Sequence, residues 1–170
     1  MPWGVMPSTQ GNPNLLNDRK MLIGLSGSMN VESENESTND ARMGLEFALL
    51  YNRWYFAGEA YWMNVGFTKR QKINEHYNYL GGYVQGGYFV APRLQVAARY
   101  DFMNRNSTGK DGFLNMPAVG LNYFFKGCNL KLQAMYQYTG RKGHDTQLDR
   151  DNDNLGLATH SATVQLQYYF

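Results

Sequence analysis

In stretch after stretch of this 170-residue chain, apolar side chains recur at every second position. A period of two marks a β-strand with one apolar and one polar face, and it does not fit a helix. The last residues carry the pattern most plainly. From Thr163 to Phe170, Val164, Leu166, Tyr168 and Phe170 fall on one side, and Thr163, Gln165, Gln167 and Tyr169 on the other. A strand this apolar on one side must bury that side in a protein core or in lipid.

The same alternation predicts strands at Arg19–Asn30, Ala41–Tyr51, Trp54–Met63, Leu80–Val90, Leu94–Met103, Pro117–Phe125 and Asn129–Thr139, which with the terminal strand makes about eight. Only Trp54–Met63 is ambiguous, and setting Glu59 on the polar side fixes its faces. No amphipathic helix competes with these assignments, and the chain reads as all-β and antiparallel.

The connections distinguish a core from lipid because they alternate in length. Asn52-Arg53, Ala91-Pro92-Arg93 and Lys126-Gly127-Cys128 are tight turns, whereas residues 31–40, 64–79, 104–116 and 140–156 are long and polar. A soluble sandwich has no reason to collect its short turns at one end. A transmembrane β-barrel does, with short periplasmic turns and long extracellular loops. Aromatic residues support this: Tyr51, Trp54, Tyr88, Tyr123, Phe125, Tyr168 and Phe170 lie toward the short turns, and Trp62, Phe102, Tyr136 and Tyr138 toward the long loops. Two aromatic belts suit the two headgroup regions of a bilayer.

Composition agrees. The chain has 13 Tyr, 9 Phe and 3 Trp, yet its mean hydropathy of -0.54 is that of a polar protein. No stretch approaches the roughly 20 apolar residues of a spanning helix, while membrane strands hide their apolar residues at alternate positions. A formal charge of +2 gives no field that would gather nucleic acid. The single Cys128 excludes an internal disulfide framework. The expected location is therefore the bacterial outer membrane, in contact with lipid and lipopolysaccharide.

Three stretches resemble one family. Gly82-Tyr83-Val84-Gln85-Gly86-Gly87-Tyr88-Phe89-Val90-Ala91-Pro92-Arg93-Leu94-Gln95-Val96-Ala97-Ala98-Arg99-Tyr100 looks like a hairpin of the phosphate-selective porin O and P family. Val119-Gly120-Leu121-Asn122-Tyr123-Phe124-Phe125-Lys126-Gly127-Cys128-Asn129-Leu130-Lys131-Leu132-Gln133 resembles a second, and Val164–Phe170 its closing strand. The resemblance implies a sixteen-stranded, homotrimeric, outer-membrane porin passing small hydrophilic, phosphate-like solutes, of which this chain resembles the C-terminal half. Phe170 resembles the terminal signal that outer-membrane barrels present to their insertion machinery. Residues 1–18 read as the end of a preceding strand and its turn, or as a leader, and 19–170 as barrel strands with their loops. A closed eight-stranded barrel is the alternative, filled by its own side chains and non-conducting.

If the polar face lines a pore, the inward candidates are Lys20, Arg42, Glu46, Glu59, Tyr83, Gln85, Arg99, Asp101, Lys131 and Gln133. Four basic residues against three acidic ones make too even a balance to fix anion selectivity, and Arg99 with Asp101, two apart on one face, reads as an ion pair. The run Asp149-Arg150-Asp151-Asn152-Asp153 opens like a calcium loop, but Asn154 and His160 stand where Gly and Glu are required. No metal or other cofactor is expected. A barrel enzyme is disfavoured. His160 and Ser161 are neighbours on a strand and so point to opposite faces, and the loop cluster of His144, Asp145, Asp149 and Asp151 has no evident nucleophile.

Overall fold

Alternating, β-branched and aromatic sequences bounded by Asn-Arg and Pro-Arg turns should form long hairpins, and they do. The computed structural model describes residues 17–31, 38–67, 76–104, 113–126, 129–142 and 158–168. These hold eight strands: β1 (Arg19–Asn30), β2 (Thr38–Tyr51), β3 (Trp54–Phe67), β4 (His76–Ala91), β5 (Leu94–Asn104), β6 (Phe113–Lys126), β7 (Leu130–Lys142) and β8 (Ala158–Tyr168). They form one sheet in sequence order, every neighbouring pair antiparallel. Among the described residues β1 pairs only with β2, and β8 only with β7.

The lower strand ends fall close to where the sequence predicts, because turn chemistry fixes them. Asn52 has φ of 53°, and a two-residue hairpin needs a residue that tolerates positive φ at that position. Ladder irregularities at Phe89/Ala91 and Phe124/Lys126 absorb an extra residue beside the other two turns. Backbone bonds from Asn52 N to Asp18 O, Phe89 N to Arg53 O and Phe124 N to Arg93 O, of 3.0, 3.0 and 2.9 Å, tie each turn to the next strand. The upper ends differ from expectation. β2, β3, β4, β6, β7 and β8 run several residues past the apolar alternation, because a ladder persists after the side chains cease to be apolar. Strands of 11 to 16 residues meet or exceed the roughly 9–11 needed to cross a bilayer.

Within β6, Pro117 has no N–H to donate, and the β6–β7 pairing passes from Asn115↔Gly140 to Ala118↔Gln137 without change of register. The ladder is interrupted there and resumes in phase.

Register divides the sheet into two faces. On one lie Ile23, Leu45, Phe56, Val84, Val96, Val119, Leu132 and Val164, and exposure on this face is high, 67 % for Ile23 and 73 % for Val164. The described strand carboxylates lie on the other face, as do Lys20, Arg42, Arg99 and Lys131; this face carries Arg19 at the lower end of β1, its guanidinium 4.8 Å from the Tyr51 ring centroid, and His160 in the upper part of β8. The buried side chains, of Ala48, Leu50, Tyr55, Ala57, Phe89, Gln95, Ala118, Phe124 and Lys131, all lie on the opposite face. Side chains crowd on one face and splay on the other when a sheet curls, so the polar face is the inner one. An outer face that is apolar between its two borders, on a polar-lined curved sheet, is the arrangement of a wall between lipid and water.

Candidate functional site

The inner wall gathers every candidate picked from the sequence. Lys20, Arg42, Glu46, Glu59, Tyr83, Gln85, Arg99, Asp101, Lys131 and Gln133 all occupy inner-face register positions, spread over β1 to β5 and β7. They form separate groups. Those on β3 to β5 meet in one network. Asp101 accepts hydrogen bonds from Arg99 Nε at 2.8 Å and Arg99 Nη2 at 2.6 Å, so the expected ion pair is present. The Arg99 guanidinium lies 4.0 Å from the Tyr83 ring centroid, a cation–π contact. Tyr83 donates to Glu59 Oε1 at 3.1 Å, and Gln85 Nε2 donates to Tyr55 Oη at 3.2 Å. Glu46 stands directly across from Glu59, and Gly24 opposite Glu46 leaves the room its side chain occupies.

Basic charge on this wall is largely offset where the structure gives a partner. Arg42 pairs with Asp40 at 2.9 Å and Lys20 with Asp18 at 3.5 Å, as Arg99 does with Asp101. These pairs are partly exposed and contribute little to stability. Their larger effect is on the field, which they keep from becoming strongly positive.

A second group was not singled out in the sequence, apart from Gln133. Gln133 Nε2 donates to Asn122 Oδ1 at 2.9 Å, and Asn122 Nδ2 donates to Gln95 Oε1 at 2.9 Å. The three amides sit in register across β7, β6 and β5, with Gln165 of β8 next in the row. Gln133 and Asn122 each donate to the next amide, and the row ends at Gln95 Nε2, which is buried with no partner in the structure. Uncharged amides give no signal in a search for titratable groups. Only the register, Gln95↔Asn122↔Gln133↔Gln165, would have exposed them.

The outer face marks two membrane borders. At the lower one Trp54 lies 5.7 Å from Phe56 and 4.6 Å from Tyr88, and Tyr123 lies 4.8 Å from Phe125, centroid to centroid. At the upper one polar pairs bridge successive strands: Asn64 with Asn78, Tyr100 with Asn115, and Tyr136 with His160. His160 is thus committed to an outward tyrosine pair while Ser161 faces inward, which removes them as a catalytic couple. His144, Asp145, Cys128, the Asp149–Asp153 run and Phe170 lie outside the described residues. Among the described residues no group of three metal-ligating side chains occurs, and no helix is long and apolar enough to cross a membrane, which says nothing of strands.

The family model for phosphate-selective porin O and P matches residues 1–170, the whole chain. The chain belongs to the phosphate-selective porin O and P family. No curated protein and no solved structure matches it. Membership places this porin in the bacterial outer membrane and in a family of channels rather than of enzymes. It also accounts for the outer face: the apolar band between the aromatic and the Asn/Tyr/His borders is the lipid-contacting surface of a porin barrel wall.

Proposed function

We propose that these strands form part of the wall of a water-filled channel through which small hydrophilic solutes, phosphate-like anions among them, diffuse passively. The observation that carries this reading is the two-faced sheet, with its described strand carboxylates and Lys20, Arg42, Arg99 and Lys131 inward. Unpaired strand edges in lipid cost several kcal/mol per backbone group, so in a bilayer the outer edges of β1 and β8 take partners, from further strands or from each other. A sixteen-stranded, homotrimeric assembly is the form family membership favours, inserted by machinery that reads the terminal aromatic and bounded by lipopolysaccharide outside. The mixed charge of the inner wall supports weak rather than strict ion selectivity.

Single-channel recording in planar bilayers across a KCl gradient tests this. Discrete steps with an ohmic open state are expected. Asp101→Asn should shift the reversal potential toward chloride, and Arg99→Gln toward potassium. Protein that inserts without conducting, or variants that leave the reversal potential unmoved, would contradict the channel or the pore-lining assignment respectively.

A further inference from the structure

The amide row ends in a partly open cavity of about 230 Å³ in the inner wall. Its polar edge includes Tyr55, Gln95, Arg99 and Lys131, and none of its lining residues is acidic. Two donors are left over there. Gln95 is 3 % exposed and its Nε2 has no partner, while Gly87 leaves space for that group: a Cβ at Gly87 would lie 2.7 Å from it. Tyr55 Oη accepts from Gln85, which leaves its own proton to give. The apolar part of the wall is formed by Ala97, Ala118, Phe124 and Met135, and Gln85, Asn122, Gln133, Thr163 and Gln165 complete the polar part.

We propose that this cavity recognises a small organic monocarboxylate, with the carboxylate toward Gln95 and Tyr55 and the hydrocarbon body against the alanine and phenylalanine floor. A buried, unpartnered amide donor favours a solute rich in acceptors, because binding then supplies the bond that the fold omits. Absence of acidic lining residues permits an anion. The Asp101 carboxylate offsets Arg99, so the local field suits one negative charge better than two. The apolar floor separates this solute from inorganic phosphate, which has no surface to bury there. The inference rests on the reading that the inner face is the water-filled side.

The test is saturation-transfer NMR of butyrate with the full chain in detergent micelles, where no current is needed. Transfer to butyrate is expected, with affinity weakened at least five-fold in Gln95→Leu and measurably in Tyr55→Phe, a variant that removes one oxygen and so guards against misfolding of the first. Equal affinity in both variants would overturn the site, as would inorganic phosphate or erythritol displacing butyrate as well as butyrate itself does. Wild-type conductance, recorded separately, judges the channel. Current without Gln95-dependent binding leaves the channel and removes the site; Gln95-dependent binding without current does the reverse.

Discussion

At the scale of single residues, aromatic side chains on this sheet repeatedly lie over glycines directly across the ladder: Phe47 faces Gly58, Phe56 faces Gly86, Tyr61 faces Gly81 and Phe102 faces Gly82. A Cβ at Gly81 would come 2.6 Å from the Tyr61 ring and one at Gly58 2.5 Å from that of Phe47, so the missing side chain is what lets the ring lie flat. The neighbours differ in how far they can yield. At Gly82 a Cβ meets backbone, with Ala60 Cα at 3.1 Å, whereas at Gly86 it meets the ring of Phe56 at 3.2 Å. Gly82→Ala should therefore cost about 1–3 kcal/mol as overpacking against an immovable wall, and Gly86→Ala less. Urea unfolding from lipid vesicles measures both, and equal losses would mean the ring is as fixed as the backbone. The amide row gives a second expectation. Asn122→Leu strands Gln95 Oε1 and Gln133 Nε2, at about 1–3 kcal/mol for a buried group left unsatisfied, read by the same unfolding transitions.

At the scale of strands, the period of two decides everything, since each element separates lipid from water along its own length. Val119, midway along β6 and 57 % exposed, faces outward, while Ser161 of β8 faces inward. Val119→Arg should cost about 2–4 kcal/mol near the bilayer midplane, and Ser161→Arg should fall within about 0.5 kcal/mol of wild type as an exposed polar site. Folding yield and stability in vesicles of defined thickness report the difference, and similar costs would place Val119 out of lipid. Faces and lower boundaries were legible in the sequence because side-chain alternation and turn residues report them directly. Glu59 alone was enough to orient β3 correctly, with Tyr55 and Ala57 inward and Trp54 and Phe56 outward. The upper boundaries were not, because Asn64, Asn78 and Asn115 end the apolar pattern while the backbone ladder continues through them. Inter-strand partners were likewise hidden. The Arg99–Asp101 pair, within one strand, could be read from spacing, whereas the Gln95–Asn122–Gln133 row and the Tyr83–Glu59 bond need register across strands.

At the scale of the whole molecule, an up-and-down order places the short connections β2–β3, β4–β5 and β6–β7 at one end and the long ones at the other. On the proposed reading, that asymmetry, with the aromatic lower border and the polar-paired upper border, would set the wall across a bilayer with the short turns on the periplasmic side. The central claim is that the exposed face touches lipid and the polar face does not. Single cysteines placed in turn from Gln95 to Phe102 of β5, in a Cys128→Ser background, and labelled with an environment-sensitive fluorophore, test it most directly. In vesicles containing brominated lipid, Val96, Ala98, Tyr100 and Phe102 should be quenched, while Gln95, Ala97, Arg99 and Asp101 are spared and respond instead to aqueous iodide. Quenching with no alternation, or with the two sets exchanged, would contradict the account.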